Sequence, residues 1–270
     1  PTWANHGPLL GNTGLKIREY PYYDRSSNGL NTQGMINTLS NVPKGDVVLL
    51  HGCCHNPSGV DLKPQDWQQI AELATANGFI PFVDLAYQGL GHSLEDDTFG
   101  LRVLAKACPE LIVANSYSKN FGLYRERVGS LQIISPSSKE SAIVQSQLGS
   151  IVRGIYSMPP AHGAAVVEII LASDELTQMW EQELGMMRSR LNTLRKSLSE
   201  ELSKTTKTDF SFIHEQKGMF SFLGISASQI DTLKNKYSIY MVDSSRINIA
   251  GINDSNRRYF VESMQEVLSG

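Results

Sequence analysis

The sequence is short of the features that would commit it to a simple class. It holds only three cysteines in 270 residues, Cys53, Cys54 and Cys108. An odd count with two members adjacent makes a poor disulfide framework, so a reducing compartment is expected. No apolar run approaches the ~20 residues of a membrane span, and no signal or transit pattern opens the chain. Basic charge is not in excess: 24 Lys and Arg stand against 27 Asp and Glu, for a net charge of -3. Binding to a phosphate backbone needs a dense basic stripe, so nucleic acid is not expected as a partner. There is no internal repeat, no low-complexity segment and no G-x-S-x-G nucleophile elbow. His51, Cys53, Cys54 and His55 are close in sequence, but no second pair stands at a spacing that would complete a zinc site. Structural roles are expected for these four, and no metal.

What is present is a chain that can fold. Hydrophobic residues make up 41%, enough for a sizeable core in one large domain or two smaller ones. Residues 46–50 read as a buried strand, and turn residues follow in "HNPSGVDL". "KPQDWQQIAELATANG" carries helix punctuation at both ends, Pro64 early and Asn77-Gly78 at the close. A short apolar run over 79–83 ends on Asp84. A helix near 98–107 and further strands over 111–114 and 128–134 are predicted. Alternating strands and helices point to an α/β domain with a mostly parallel sheet. In such sheets chemistry collects at the carboxyl ends of strands, where Asp84, Ser116 and Lys119 fall.

Residues 138–152 and 161–172 read as helices. A long helix near 174–203 follows, with apolar positions from Leu176 to Leu202 at steps of three or four. The expected reading of that stripe is a packing spine. Beyond it, "GMFSFLG", "IYMV" and "RINIAG" read as strands and 254–268 as a closing helix. The expected organisation is a large domain over 1–185 and a small α+β domain over 186–270, linked by the long helix.

The stretch "NSYSKNFGLYRERVG" (115–129) places one amine, Lys119, among small hydroxyl residues and glycine. An unpaired buried ammonium is costly, and a surface lysine would more often have charged neighbours. A lysine used for its chemistry can form a Schiff base with a carbonyl when desolvation or nearby cations lower its pKa. Pyridoxal phosphate is the common carbonyl cofactor. It asks for an acid at its ring nitrogen, a cation and hydroxyls at its phosphate, and packing on a ring face. Asp84 suits the first need, Ser116 and Arg127 the second, and Trp3 the third. Taken alone, Asp84 serves equally as a turn cap and Arg127 as an ordinary salt-bridge partner.

The strings "HGCCHNPSG", "FVDLAYQG", "SYSKNFGLYRERVG", "PPAHGA" and "SRINIAG" together resemble the aspartate aminotransferase family, fold type I of the pyridoxal phosphate enzymes. The likeness is nearest to bacterial aspartate and aromatic aminotransferases, and the strings fall in the family's order. The resemblance implies that Lys119 holds the cofactor covalently and then shuttles the substrate α-proton. It implies that Asp84 pairs with the ring nitrogen, backed by His6, and that Trp3 stacks on the ring. Asn56 and Tyr87 would bond the phenolic oxygen, and Ser116 and Arg127 the phosphate. Arg246 would grip the substrate α-carboxylate. Arg153 would reach across a homodimer interface to the second carboxylate. Two arginine forks suit a dicarboxylic acid, since each makes two parallel charge-assisted bonds.

The "WANH" string begins at residue 3, whereas in the family it lies well inside the chain. Together with Pro1 in place of Met, this leads to the expectation of a fragment lacking the family's N-terminal third. Apolar faces and strand edges should then be exposed, and the chain alone should have little activity. The expected activity of the parent is transamination of aspartate or glutamate with a 2-oxo acid. An aromatic-amino-acid aminotransferase is the nearest alternative, and a lyase or decarboxylase on the same fold or a non-catalytic truncated domain are alternatives of other classes. A cytoplasmic location is expected from cysteine usage and the bacterial likeness, with a mitochondrial one left open.

Overall fold

In the computed structural model, which describes residues 1–269, the elements follow one another as α1 (His6–Gly11), β1 (Tyr23–Asp24), β2 (Gly29–Leu30), α2 (Thr32–Leu39), β3 (Val47–His51), α3 (Pro64–Asn77), β4 (Ile80–Leu85), α4 (Phe99–Ala107), β5 (Leu111–Ser116) and β6 (Gly129–Ile134). Then come α5 (Ser138–Ile155), α6 (His162–Leu171), α7 (Asp174–Thr205), α8 (Phe212–Glu215), β7 (Phe220–Phe222), α9 (Ala227–Tyr237), β8 (Arg246–Asn248) and α10 (Arg257–Ser269). Two compact units divide the chain. One takes Ile36–Cys53 and Leu62–Met186, and the other Pro1–Met35, Cys54–Asp61 and the chain from Met187 onward. The first 35 residues and 54–61 thus group with the chain that follows Met186. Hydrogen bonds within that unit account for the grouping: Lys217 N donates to Gly59 O at 2.8 Å and Gln216 Nε2 to Asn28 O at 3.4 Å.

The sheet unit is α/β. Its strands lie in the order β3-β4-β5-β6. β3, β4 and β5 are parallel, joined through α3 and α4, and β6 runs antiparallel to β5. β4 alternates, with Pro81, Val83 and Leu85 buried, as a strand packed on one face should. α3 starts where sequence chemistry dictates. Pro64 occupies the first turn, Lys63 N donates to Asp66 Oδ2 at 2.7 Å, and Gly78 closes the helix at φ +73° with its N–H on Ala74 O. The left-handed closing conformation costs glycine little. Gly100, the second residue of α4, is required for packing instead, because a Cβ there would enter the Trp67 indole. Apolar side chains stand exposed along β6 (Leu131, Ile134), α5 (Ile143, Ile151, Ile155) and α6 (Ile169, Leu171). Among the described residues, β3 and β6 each have one edge without a strand partner.

The second unit takes its core from the later part of α7, where Leu191, Leu194, Leu198 and Leu202 are buried, with Phe210, Ile213, Leu233, Ile249 and Met264. The stripe is therefore a packing spine in that half, while Leu176 and Met187 are exposed. β7 and β8 form a two-stranded antiparallel ladder. The "IYMV" segment is not a strand. It follows α9 through a left-handed Ser238 (φ 54°), and Tyr240 and Val242 are exposed. β-propensity is decided by packing context rather than composition, and the ladder here consists of β7 and β8 alone. Among the described residues, no helix is long and apolar enough to cross a membrane.

Candidate active site

The parallel strands β4 and β5 deliver side chains to one end of the sheet. Asp84 stands in register with His51 on β3 and Ala114 on β5. Tyr87 follows two residues past the end of β4 and is buried. The loop beyond it is held by Asp97, itself buried, whose carboxylate accepts the N–H groups of Gly89, Gly91 and His92 at 2.8–2.9 Å. Three charge-assisted bonds to one carboxylate make a rigid anchor, and they fix the segment that carries Tyr87.

β5 ends at Ser116, and the chain then turns to present Lys119. Ser118 N donates to Ser116 Oγ at 3.2 Å and Gly122 N to Lys119 O at 3.2 Å. Trp180 Nε1 donates to Asn120 O at 2.8 Å, and the Phe121 ring stacks on Trp180 at 4.3 Å. Lys119 Nζ comes to lie 4.8 Å from the centre of the Tyr87 ring. Burial holds the Lys119 amine below its ordinary pKa; the Asp84 carboxylate pulls the other way and the Arg127 charge reinforces the burial. Lys119, Asp84 and Arg127 therefore share one electrostatic neighbourhood. A lysine treated in this way is more often an uncharged nucleophile than a surface lysine is.

Arg127 reaches this end through the β5–β6 ladder. Ser116 is in register with Gly129, Tyr117 N donates to Val128 O at 3.2 Å, and Arg127 lies two residues before Gly129. Arg127 adopts φ 53°, and its Nη1 donates to Tyr124 O at 2.7 Å. A left-handed conformation in a bulky residue is strained, and such strain clusters at functional sites. The neighbouring Glu126 pairs with His162 Nδ1 at 2.7 Å, at the start of α6. Arg153 lies near the end of α5, where its Nη1 donates to Ser157 Oγ at 2.8 Å.

The remaining predicted residues belong to the other unit. The Trp3 ring stands edge-on to His6 at 5.3 Å, and Thr2 Oγ1 lies 2.7 Å from His6 Nδ1. Asn56 is buried in a turn closed by Gly59 N on His55 O, with the Asp61 carboxylate accepting from Cys54 N and His55 N. His55 is a core residue, bonded to Ser58 Oγ at 2.8 Å and stacked on Tyr22. Arg246 opens β8, with its guanidinium 4.8 Å from the centre of the Phe220 ring.

The sheet-end cluster suits a carbonyl cofactor that bears a basic ring nitrogen and a phosphate. It offers a desolvated amine for the carbonyl, a carboxylate for the ring nitrogen, and a hydroxyl and a guanidinium for the phosphate. Asn115 and Asn120, on either side of Lys119 in sequence, bury side-chain oxygens that accept no hydrogen bond from the described residues. Such orphans in a native fold call for a reason, and polar sites supply one. Two supporting residues lay outside the sequence reading of the site. Asp97 follows the glycine-rich "QGLGHS", whose turn character was the available signal. Trp180 reads as one more position of the α7 stripe, and only its bond to Asn120 ties it to the lysine turn.

Comparison with known proteins agrees with this geometry. Residues 1–264 match the family described as aminotransferase class I and II. The chain is 46% identical over 269 residues to an aspartate aminotransferase of Haemophilus influenzae, covering 99% of this chain and 68% of that protein. It is 42% identical over 268 residues to an aromatic-amino-acid aminotransferase of Paracoccus denitrificans, again covering 68% of the relative. Among solved structures, it is similar to the aromatic-amino-acid aminotransferase of Burkholderia pseudomallei covalently bound to pyridoxal phosphate (TM-score 0.98, 44% identity, 99% of this chain and 67% of that one). It is also similar to a mitochondrial aspartate aminotransferase of Trypanosoma brucei (TM-score 0.96, 39% identity, 99% and 71%). With its α/β sheet, its lysine at the end of β5 and this breadth of similarity, the chain belongs to the class I and II aminotransferase family.

Proposed function

We propose that this protein transaminates aspartate and glutamate against 2-oxo acids, converting aspartate and 2-oxoglutarate to oxaloacetate and glutamate, with pyridoxal phosphate held by Lys119. The observation that carries the reading is the Lys119 amine, its pKa lowered by burial while Asp84 and Arg127 act on it from adjacent strand ends. When bound, pyridoxal phosphate supplies an electron sink for the charge left on the substrate α-carbon. The chain's own residues do the rest. Lys119 Nζ would hold the cofactor and, as a free amine, would move the substrate α-proton as a general acid–base group. Asp84 keeps the ring nitrogen protonated, which stabilises charge that develops in the transition state, and His6 supports it. By the family resemblance, Tyr87 and Asn56 would donate to the phenolic oxygen, Ser116 and Arg127 would bind the phosphate, and Trp3 would cover the ring.

Arg246 takes the α-carboxylate as a bidentate fork. The protein acts as a homodimer, in which Arg153 of one subunit reads the second carboxylate in the other. The test is colour. Adding pyridoxal phosphate gives a visible absorbance band that Lys119→Ala abolishes, and a protein that develops no band refutes the assignment. Similarity to aromatic aminotransferases sustains a second reading, in which aromatic amino acids are preferred. Steady-state rates with aspartate against phenylalanine separate the two.

A further inference from the structure

α7 carries an arginine, Arg195, whose side chain is 0% exposed. A buried guanidinium is normally matched by a carboxylate. Here every hydrogen bond goes to a main-chain carbonyl. Nε donates to Gly218 O (3.1 Å), Nη1 to Ile213 O (3.0 Å), and Nη2 to Lys217 O (3.0 Å), Gly218 O (2.9 Å) and Phe220 O (2.5 Å). Burial pushes its pKa down to about 10, with the Cys54 thiol and the Asp61 carboxylate opposing the shift. An apolar residue would be easier to bury but would leave these carbonyls unpaired.

The carbonyls belong to one short segment, and that segment leads to the substrate-reading arginine. Phe220 opens β7, and β7 pairs with β8 so that Phe222 faces Arg246 and Phe220 faces Asn248. The Phe220 oxygen is held by Arg195, while its ring carries the Arg246 guanidinium at 4.8 Å, within cation–π range. The turn containing Asn56 is bound into the same clamp. Lys217 N donates to Gly59 O, and a Cβ on Gly59 would lie 2.5 Å from Phe220 O and 3.2 Å from Arg195 Nη2. Five residues earlier on α7, Arg190 Nη2 donates to Ala250 O (3.3 Å) and Ile252 O (3.0 Å), just past β8. α7 thus grips the chain before β7 and after β8.

We propose that Arg195 is a positioning residue for carboxylate recognition: it seats β7 through the carbonyls of residues 213–220, and the Phe220 ring on β7 sets the direction of the Arg246 fork. This deepens the reading of Arg246 given above and rests on it. A lysine at position 195 presents a point charge where a planar fork gathers four carbonyls, so it loosens β7 while keeping the charge.

The test is a double-mutant cycle on the full chain loaded with pyridoxal phosphate, with succinate as the probe and calorimetry as the readout. Arg195→Lys weakens succinate binding about tenfold, the size of a coupling energy between neighbours, and leaves the cofactor band in place. In an Arg246→Lys background the same substitution has little further effect. Phe220→Leu keeps every carbonyl that Arg195 holds and removes only the ring, so it reproduces both results. Equal losses in the two backgrounds, or no loss with Arg195→Lys, overturn the proposal. Should Arg195→Lys fail to fold, the Phe220→Leu cycle decides, since unchanged succinate affinity there cuts the link between β7 and Arg246. Arg246→Lys binding succinate normally would instead refute the role of Arg246, and absence of the cofactor band in the unaltered protein would refute the proposed function.

Discussion

Gly129 offers a direct test of how the sheet end is built. It opens β6 opposite Ser116, and a Cβ built on it would lie 2.5 Å from the Asn115 carbonyl oxygen and 3.4 Å from Ser116 Cα. Both neighbours are backbone, so no side chain can swing aside. The strands must part by roughly an ångström to restore ordinary contact, which costs about 1–3 kcal/mol as overpacking. The same movement stretches ladder bonds, among them Tyr117 N to Val128 O, each worth about 0.5–1.5 kcal/mol. Gly129→Ala should therefore destabilise the chain by about 2–4 kcal/mol. Ser116 and Arg127 sit on the two sides of the widened gap, so pyridoxal phosphate affinity should fall by at least about tenfold.

Gly149, in the middle of α5, supplies the matched control. A Cβ there meets nothing within 4 Å, so Gly149→Ala removes a helix-interior glycine and should stabilise by about 0.5–1 kcal/mol. Thermal melting reads the stabilities, and titration of the visible band reads the cofactor. Gly129→Ala melting and binding as the parent does would refute the close approach of β5 and β6. A Gly149→Ala variant as damaged as Gly129→Ala would show that neither effect is local.

The protonation of Lys119 gives a second prediction. Its folded-state pKa lies below the 10.5 of the unfolded chain because of burial, so the ammonium opposes folding in full below the folded-state pKa. That opposition is relieved as pH rises through the folded-state pKa towards 10.5. The cofactor-free Lys119→Met protein should melt above the parent at neutral pH, with the gap closing at alkaline pH, and a gap that widens with pH would contradict the sign. Arg153→Ala should reduce turnover of aspartate about 10²-fold, as expected for removal of one partner of a charge pair, while sparing phenylalanine; equal loss on both substrates argues against a dicarboxylate role. Leu131, 52% exposed on the open edge of β6, should promote strand-edge association. Leu131→Lys should lower light scattering without lowering the melting temperature, and unchanged scattering would remove that edge as the cause.

Much of the sheet unit was legible because its signals are local. The apolar runs at 46–50, 79–83, 111–114 and 128–134 emerged as β3 to β6, and α3 begins and ends at its own punctuation. Residue chemistry at strand ends singled out Lys119 and Asp84 as candidates, because the sheet type places those ends together, while their roles came from the family resemblance. "IYMV" misled because its composition is that of a strand, whereas strand formation is decided by the packing around a segment, and Tyr240 and Val242 stand exposed. Arg195 escaped notice because an arginine between Leu194 and Leu198 reads as the solvent side of a stripe, although the structure closes four carbonyls around it.

By itself the sequence determined the elements, the order in which they alternate, and the side chains able to do amine chemistry, all of which follow from interactions within a few residues. The tertiary structure decided how far the Lys119 amine is stripped of water, which loops Asp97 and Arg195 hold, and that residues 54–61 join a unit distant from them in the chain. Desolvation, electrostatic coupling and the satisfaction of buried polar groups are sums over neighbours in space, and those neighbours exist only once the chain has folded.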